Sequence, residues 1–227
     1  KKKKSGFRME EKKESEAANS QTVVLKLGSA SLSRADESGL NLKLICSVAE
    51  TIAFLRKAGW NVVLVTSGAV TVGCLAMGFT ERPKDLTTKQ AIAAVGQSRL
   101  MKVYDDVFSH YNQPVAQLLL SRDNLNKSHH YNNALNTLES LFRLGVVPIV
   151  NENDTVAVEE LRVGDNDTLS ALVASLISAD TLVLLTDVDA LYTDNPASAP
   201  DATAIRQVDD VDNLQVCLGE GGKWGTG

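Results

Sequence analysis

The sequence predicts an α/β fold, a three-layer αβα sandwich whose central sheet is mostly parallel. Two observations lead to this prediction. Short runs rich in β-branched residues alternate along the chain with longer segments of helical periodicity, as in folds built from strand–helix–strand units. These runs are also apolar at nearly every position, which is typical of parallel strands covered by helices on both faces. A chain of 227 residues with 44% hydrophobic residues is large enough to form such a core.

Five apolar runs predict the strands of the sheet, at residues 22–28, 61–66, 114–120, 146–150 and 181–186. Helical spacing predicts helices over residues 40–59, from the turn at residues 67–70 towards residue 77, and over residues 86–111, 131–144 and 169–178. Gly59 is expected to end the first helix, and Thr87 or Thr88 to cap the third. The weak alternation of residues 156–163 predicts a hairpin or a flap.

Charge is distributed unevenly along the chain. Residues 1–20 hold seven basic and four acidic side chains and are expected to form a disordered tail. Residues 21–227 carry 16 basic and 24 acidic side chains and are expected to form one domain. An acidic body argues against a nucleic-acid partner, which needs clustered positive charge. No apolar run approaches the ~20 residues of a membrane span, so no membrane partner is expected.

Cysteine usage favours a reducing compartment. Cys46, Cys74 and Cys217 lie far apart in the sequence and form no CxxC pair. They are therefore expected to be small buried hydrophobes and not a disulfide framework. Together with the absence of an apolar signal segment at the N-terminus, this predicts a cytoplasmic location.

The unusual residues follow the predicted strands, which is where an open parallel sheet binds ligands. Lys26 lies inside the first apolar run, and a buried lysine is costly unless it is paired or functional. It could also be a lysine on an edge strand or at the end of a strand that extends its ammonium group to solvent. Gly28 and Ser29 follow at once, however, and favour a lysine beside an anion held by backbone N–H groups.

Small residues also follow the second strand. Ser67, Gly68 and Ala69 place backbone N–H groups at the start of a helix, which predicts a second anion site. A Ser–Gly pair is equally an ordinary way to begin a helix, and both interpretations stay open.

Two polar segments follow the fourth strand, Asn-Glu-Asn-Asp at residues 151–154 and Asp-Asn-Asp at residues 165–167. The first exceeds what an Asx turn requires and favours a site for a polar ligand. In the second, Asp165 could simply cap the next helix, and an acidic first turn suits its dipole. The functional interpretation is that one carboxylate orients lysines or magnesium around a phosphate while Asn166 binds the phosphoryl acceptor.

The loop after the last strand contains Thr186, Asp187 and Tyr192 and is of a kind that holds a nucleotide base or ribose, although turn chemistry alone would explain it. The sequence contains no HExxH motif and no Cys/His cluster. We therefore expect no metal site made by protein groups alone, and Mg²⁺ that arrives with ATP.

In this order, the strand-end motifs are similar to those of the amino-acid kinase family. The matching segments are VVLKLGSASL, VTSGAVTVG, KQAIAAVGQSRLM, VVPIVNENDTV, VGDNDTLSALVA and LLTDVDALYTDNP, from about Val23 to Pro196. The NEND and GDND pair and the AAVGQ helix resemble the branch of the family that phosphorylates the side-chain carboxylate of L-glutamate.

The resemblance implies transfer of the ATP γ-phosphoryl group to that carboxylate, as the first step towards proline and with proline as an inhibitor. It implies that Lys26 contacts the ATP phosphates and that Asp167 organises the catalytic lysines. It further implies substrate contacts by Ser67, Gly68, Asp154, Asp165 and Asn166, and ATP contacts by Lys26, Gly28, Ser29, Thr186, Asp187, Tyr192, Gly225, Thr226 and Gly227. Relatives form dimers or tetramers, so a homo-oligomer is expected.

Several alternatives accompany this resemblance. The family continues past the Gly-Thr-Gly at residues 225–227 with a second phosphate-contacting lysine, so the C-terminal part of the domain is expected to be incomplete. A uridylate or acetylglutamate kinase is the nearest rival, but the acidic, amide-rich loops disfavour a phosphorylated acceptor. A non-catalytic sensor of glutamate or proline, or the kinase part of a bifunctional proline-pathway enzyme, also stays open.

Overall fold

The computed structural model describes residues 20–33, 39–121, 125, 128–156, 166–196, 198–212 and 214. Its strands are β1 (Thr22–Leu27), β2 (Asn61–Thr66), β3 (Val115–Leu120), β4 (Val147–Glu152), β5 (Thr181–Leu185), β6 (Leu191–Tyr192) and β7 (Ala204–Ile205). Its helices are α1 (Ser29–Leu32), α2 (Leu42–Lys57), α3 (Ala69–Met77), α4 (Leu86–Ser109), α5 (Ser128–Arg143) and α6 (Asn166–Leu176). The tail expected at residues 1–20 lies outside the described residues except for Ser20, and the hairpin or flap expected at residues 156–163 lies outside them except for Val156.

Five strands form one parallel sheet in the order β3-β4-β2-β1-β5. β1 pairs with β2 on one side and with β5 on the other, so Lys26 lies opposite Val65 and Leu184. β1 is therefore an inner strand and Lys26 is buried, so the alternative of an edge or end-of-strand lysine that reaches solvent is wrong. β6 and β7 form a separate antiparallel pair that the sequence did not predict, because two-residue strands carry no periodic signal.

Successive residues of the inner strands enter two different cores. On β1, Val23 and Leu25 pack with the face covered by α2 and α4, whereas Val24 packs with the face covered by α5 and α6. This alternation follows from the two-residue repeat of a strand, and it leaves no solvated face on β1 or β2. The predicted αβα sandwich with a mostly parallel sheet is confirmed.

Two local predictions are wrong. The cap of α4 is Asp85, not Thr87 or Thr88: the Asp85 carboxylate accepts a hydrogen bond from the backbone N–H of Thr88 at 2.8 Å. That bond holds the pKa of Asp85 below its usual value. Cys46 is exposed and not buried, while Cys74 is buried as expected, which raises the pKa of its thiol. Cys217 lies outside the described residues.

Helices α3 and α4 are in direct backbone contact. A Cβ atom added to Gly96 would lie 1.7 Å from the backbone oxygen of Ala69, and one added to Gly73 would lie 2.1 Å from that of Ile92. No side chain fits at either position without moving a backbone. The contact fixes α4 against the first turn of α3, directly after the end of β2.

Candidate active site

Lys26 is 5% exposed and carries its charge at the carboxyl end of β1. Its Nζ lies 2.5 Å from Oδ1 of Asp167 in the first turn of α6. The pair offsets the cost of burying an ammonium group, and the carboxylate is also favourably placed in the field of the helix N-terminus. A Cβ atom added to Gly28 would lie 3.2 Å from the same Nζ, so the glycine leaves space beside the lysine. Two residues predicted from sequence, 141 positions apart, thus meet as a charged pair.

Asn166 joins the start of α6 to the ends of two strands. Its Nδ2 donates hydrogen bonds to the backbone oxygen of Thr66 at 2.7 Å, to Oγ of Ser67 at 2.7 Å and to Oδ1 of Asn151 at 2.9 Å. Thr66 and Ser67 lie at the end of β2, and Asn151 lies near the end of β4. The structure therefore brings Ser67 and Asn166 together and adds Asn151, while the implied substrate contacts of Ser67 and Asn166 stay a prediction.

A chain of amide side chains continues from Asn151 into the protein. Asn151 is 2% exposed, and its Nδ2 donates to Oε1 of Gln97 at 2.8 Å. The Nε2 of Gln97 donates in turn to Oε1 of Gln117 on β3 at 3.1 Å. Sequence reasoning missed Gln97 and Gln117. The available signal was a glutamine on the otherwise apolar inner face of α4, among Ala93, Leu100 and Tyr104.

A buried pair of hydroxyl groups connects β2 to α4. The hydroxyl groups of Thr66 and Tyr104 lie 2.6 Å apart, and both residues are fully buried. Burial raises the pKa of the Tyr104 phenol far above its usual value, although the hydrogen bond with Thr66 works in the opposite direction. This pair, which the sequence analysis also missed, supports the strand end from which Ser67 projects.

The backbone N–H groups expected to face an anion are partly used by the protein itself. The N–H of Ser67 donates to the backbone oxygen of Leu27 at 3.1 Å, and that of Gly28 points to the oxygen of Leu185 at 3.5 Å. The backbone N–H of Ser67 is therefore not open to an anion, which corrects that part of the predicted second anion site. The Ser67 hydroxyl instead accepts the hydrogen bond from Asn166. Gly68 has φ +94°, a left-handed conformation that glycine adopts without strain, and it turns the chain from β2 into α3.

The polar residues after β5 bond to their neighbours in sequence. The Thr186 hydroxyl donates to Oδ1 of Asp187 at 3.1 Å, and the Tyr192 hydroxyl donates to Oδ1 of Asp189 at 2.9 Å. The hydrogen bond from Tyr192 to Asp189 raises the pKa of the Tyr192 phenol. Because β5 pairs with β1, these residues follow a strand end adjacent to that of Lys26.

The remaining predicted residues are less defined. Asp154 lies partly buried in the turn after β4, and the same turn contains a hydrogen bond from the Thr155 hydroxyl to Asn153 Oδ1 at 2.6 Å. Asp165 and residues 225–227 lie outside the described residues.

Among the described residues, no group of three or more His, Cys, Asp or Glu side chains is arranged to hold a metal ion. None of the described helices is long and apolar enough to span a bilayer.

A lysine–aspartate pair and a cluster of amides lie at the carboxyl edge of a parallel αβα sheet, the edge at which open sheets of this class bind ligands. The chain belongs to the amino acid kinase family, whose sequence profile matches residues 21–227. The resemblance drawn from the strand-end motifs is thereby confirmed.

Curated relatives of the chain are named glutamate 5-kinase. The chain is 54% identical to that of Trichormus variabilis over 210 residues, 55% to that of a Cyanothece species over 209 residues, and 54% to that of a Synechococcus species over 213 residues. These alignments cover 91 to 93% of the chain and 57 to 58% of the relatives. The chain therefore spans somewhat more than half the length of the relatives it matches.

Proposed function

We propose that the chain forms part of an ATP-dependent kinase that phosphorylates the side-chain carboxylate of L-glutamate. One observation carries the proposal: the Lys26–Asp167 ion pair stands next to Asn166, which joins the ends of β2 and β4. A paired ammonium group for phosphate and polar groups for an amino acid then share one edge of the sheet. The names of the relatives support glutamate as the acceptor.

The proposed reaction needs charge neutralisation more than proton transfer. A glutamate side chain has a pKa of about 4.3, so the nucleophile is already ionised near neutral pH and no general base is required. A bond forms between a carboxylate oxygen and the γ-phosphorus, while the bond from that phosphorus to the bridging oxygen breaks and its electron pair leaves with ADP. Lys26 would offset the charge on the phosphate oxygens, and Asp167 would hold the lysine in the direction of transfer.

Kinases of this kind use a divalent cation with the nucleotide, and we infer Mg²⁺. The donor set suits a cation that is ligated mainly by phosphate oxygens, because no group of three or more His, Cys, Asp or Glu side chains among the described residues is arranged to hold a metal ion. Asp167 is 44% exposed at its side chain and would hold the cation from the protein side. When bound, the cation would neutralise charge on the transferring group.

The wider role is proposed on the family resemblance alone. We infer that glutamyl 5-phosphate is used for proline synthesis, that proline inhibits its formation, and that the protein is a cytoplasmic homo-oligomer. The implied ATP contacts of Thr186, Asp187 and Tyr192 belong to the same proposal, as does the implied glutamate contact of Asp154.

The direct test is acyl-phosphate formation by a protein that contains the whole chain. ATP and L-glutamate are supplied with hydroxylamine, which traps the product as the hydroxamate, and aspartate, N-acetylglutamate and uridylate serve as parallel acceptors. Product with L-glutamate alone is expected. Binding of glutamate without any product would overturn the proposed kinase function and leave the alternative of a non-catalytic sensor. Adding proline to the same assay tests inhibition, and light scattering tests the homo-oligomer.

A further inference from the structure

The orientation of the amides at the candidate site is set by backbone groups. The Asn166 nitrogen faces the backbone carbonyl of Thr66, and a carbonyl can only accept. The Asn151 oxygen faces the backbone N–H of Glu152 at 2.9 Å, which can only donate. Neither amide can therefore be turned by 180° without placing two like groups against each other.

This orientation decides what Asn166 can offer a ligand. An amide nitrogen has two hydrogens, and the Nδ2 of Asn166 already faces three oxygens within 2.9 Å. The atom left for a ligand is Oδ1, an acceptor. In L-glutamate the matching donor is the α-ammonium group, because both carboxylates are acceptors at neutral pH.

Gln97 is the part of this chain that holds Asn151 from behind. It is 8% exposed. Its Oε1 accepts a hydrogen bond from the Asn151 nitrogen, and its own nitrogen donates a hydrogen bond to Gln117. Without an acceptor at position 97, the buried Asn151 nitrogen would lose its partner, which costs about 1–3 kcal/mol and leaves that side chain held only through its oxygen. An Asn151 side chain that shifts to find another acceptor would move its oxygen away from the Asn166 nitrogen.

We propose that Gln97 is a positioning residue that, through Asn151, fixes Asn166 so that its Oδ1 accepts a hydrogen bond from the α-ammonium group of the substrate. The inference rests on the proposed function, since it concerns how the same site selects a free amino acid. Gln97 itself touches no substrate in this arrangement. Its effect falls on recognition of the amino group and not on the transfer step.

The test compares Gln97→Met with Gln97→Glu in a protein that contains the whole chain. Methionine keeps the length of the side chain without a hydrogen-bond acceptor, whereas glutamate keeps an oxygen for Asn151. For Gln97→Met we expect KM for L-glutamate to rise at least about 10-fold, with kcat and KM for ATP within about twofold of wild type. Gln97→Glu should recover most of that loss. Inhibition by glutarate, which lacks the ammonium group, should be unchanged in both variants.

Tyr104→Phe is the matched control, because it removes a buried hydrogen bond from the same helix and leaves the amides intact. Equal effects of Tyr104→Phe and Gln97→Met on KM for L-glutamate would overturn the inference, and so would an equal loss of glutarate binding. A wild-type protein that neither binds L-glutamate nor forms the hydroxamate would instead overturn the proposed function.

A measurement on the wild-type protein keeps the inference testable if Gln97→Met does not fold. The side-chain NH₂ signals of Asn166 in a ¹⁵N NMR spectrum should remain protected from solvent exchange in the free protein and keep their shifts when L-glutamate binds. Shifts typical of an amide that donates to a ligand carboxylate would overturn the assigned orientation.

Discussion

The ends of β2 and β4 and the loop after β5 are both rich in polar residues, but their polar contacts differ in kind. The three hydrogen bonds of Asn166 join residues 15 to 100 positions apart. Those of Thr186 and Tyr192 join residues one to three positions apart and lie exposed. The first region is organised by the assembled sheet, and the second by local turn chemistry.

This difference bears on how each region would bind its ligand. Groups held by several elements lose little freedom on binding, so a ligand there would meet a preorganised site. Groups held only by their sequence neighbours are ordered at lower cost and adjust more readily. We therefore expect single substitutions to have large effects at the β2 and β4 ends and small effects after β5.

Lys26→Met should have the largest effect. It removes the buried ammonium group that is paired with Asp167, and we expect turnover to fall by about 10³-fold, the size seen when a single stabilising charge or donor is removed. The rate of hydroxamate formation measures this loss. Lys102→Met is the control, since that lysine is 76% exposed and should leave the rate unchanged. A Lys26→Met protein with more than a tenth of wild-type turnover would contradict the assigned role.

Gly96→Ala should be the most destabilising of these substitutions. The added Cβ would meet the backbone of α3, and we expect the free energy of unfolding to fall by about 3 kcal/mol. Urea denaturation followed by circular dichroism gives the value. The same change at Gly39, where a Cβ would meet nothing within 4 Å, should have little effect. Equal stability of the two variants would show that α3 and α4 are not in backbone contact.

Tyr104→Phe tests the support behind β2 and should give an effect that depends on pH. At neutral pH, loss of the hydrogen bond to Thr66 should lower the free energy of unfolding by about 1 kcal/mol. The pKa of the folded phenol is raised by burial, so its stabilising contribution is complete below the unfolded pKa of about 10 and is lost as pH rises above it. Above pH ~10 the wild type should lose about 1.4 kcal/mol per pH unit from this group, whereas the variant should not.

Unfolding midpoints in urea between pH 8 and 11 would check the pH effect. Tyr111→Phe, at a partly buried tyrosine, should follow the wild-type profile. Parallel profiles for Tyr104→Phe and wild type would contradict the assigned burial of an un-ionised phenol.

Thr186→Val should have the smallest effect. It removes a hydroxyl whose bonds run to Asp187 and Val188, and we expect KM for ATP to rise by about threefold with KM for L-glutamate unchanged. Initial rates at varied ATP measure this, with Thr51→Val on the exposed face of α2 as control. A larger change in KM for L-glutamate than in KM for ATP would contradict the proposed position of Thr186 at the nucleotide. It would also contradict the contrast between the two regions.

Much of the fold could be predicted from the sequence. The five strands of the sheet and the longer helices follow from apolar runs and helical periodicity, which depend only on neighbours in the chain. The burial of Lys26 was predicted on the same ground, because an apolar run on both sides of a lysine leaves it no solvated face. The polar residues at the predicted strand ends brought Asp167, Ser67 and Asn166 to attention, and the family motifs gave them roles, but neither predicted their contacts.

What the sequence by itself determined, then, is which segments form strands and helices and which polar residues follow them. The tertiary structure alone decided that Asn166 reaches Thr66, 100 residues earlier, and that Gln97 stands behind Asn151. The close approach of α3 and α4 at Gly96 also depended on how the helices pack. The physical reason is that an amide or a glycine carries no local mark of its distant partner, which exists only after strand order and helix packing have placed the two together.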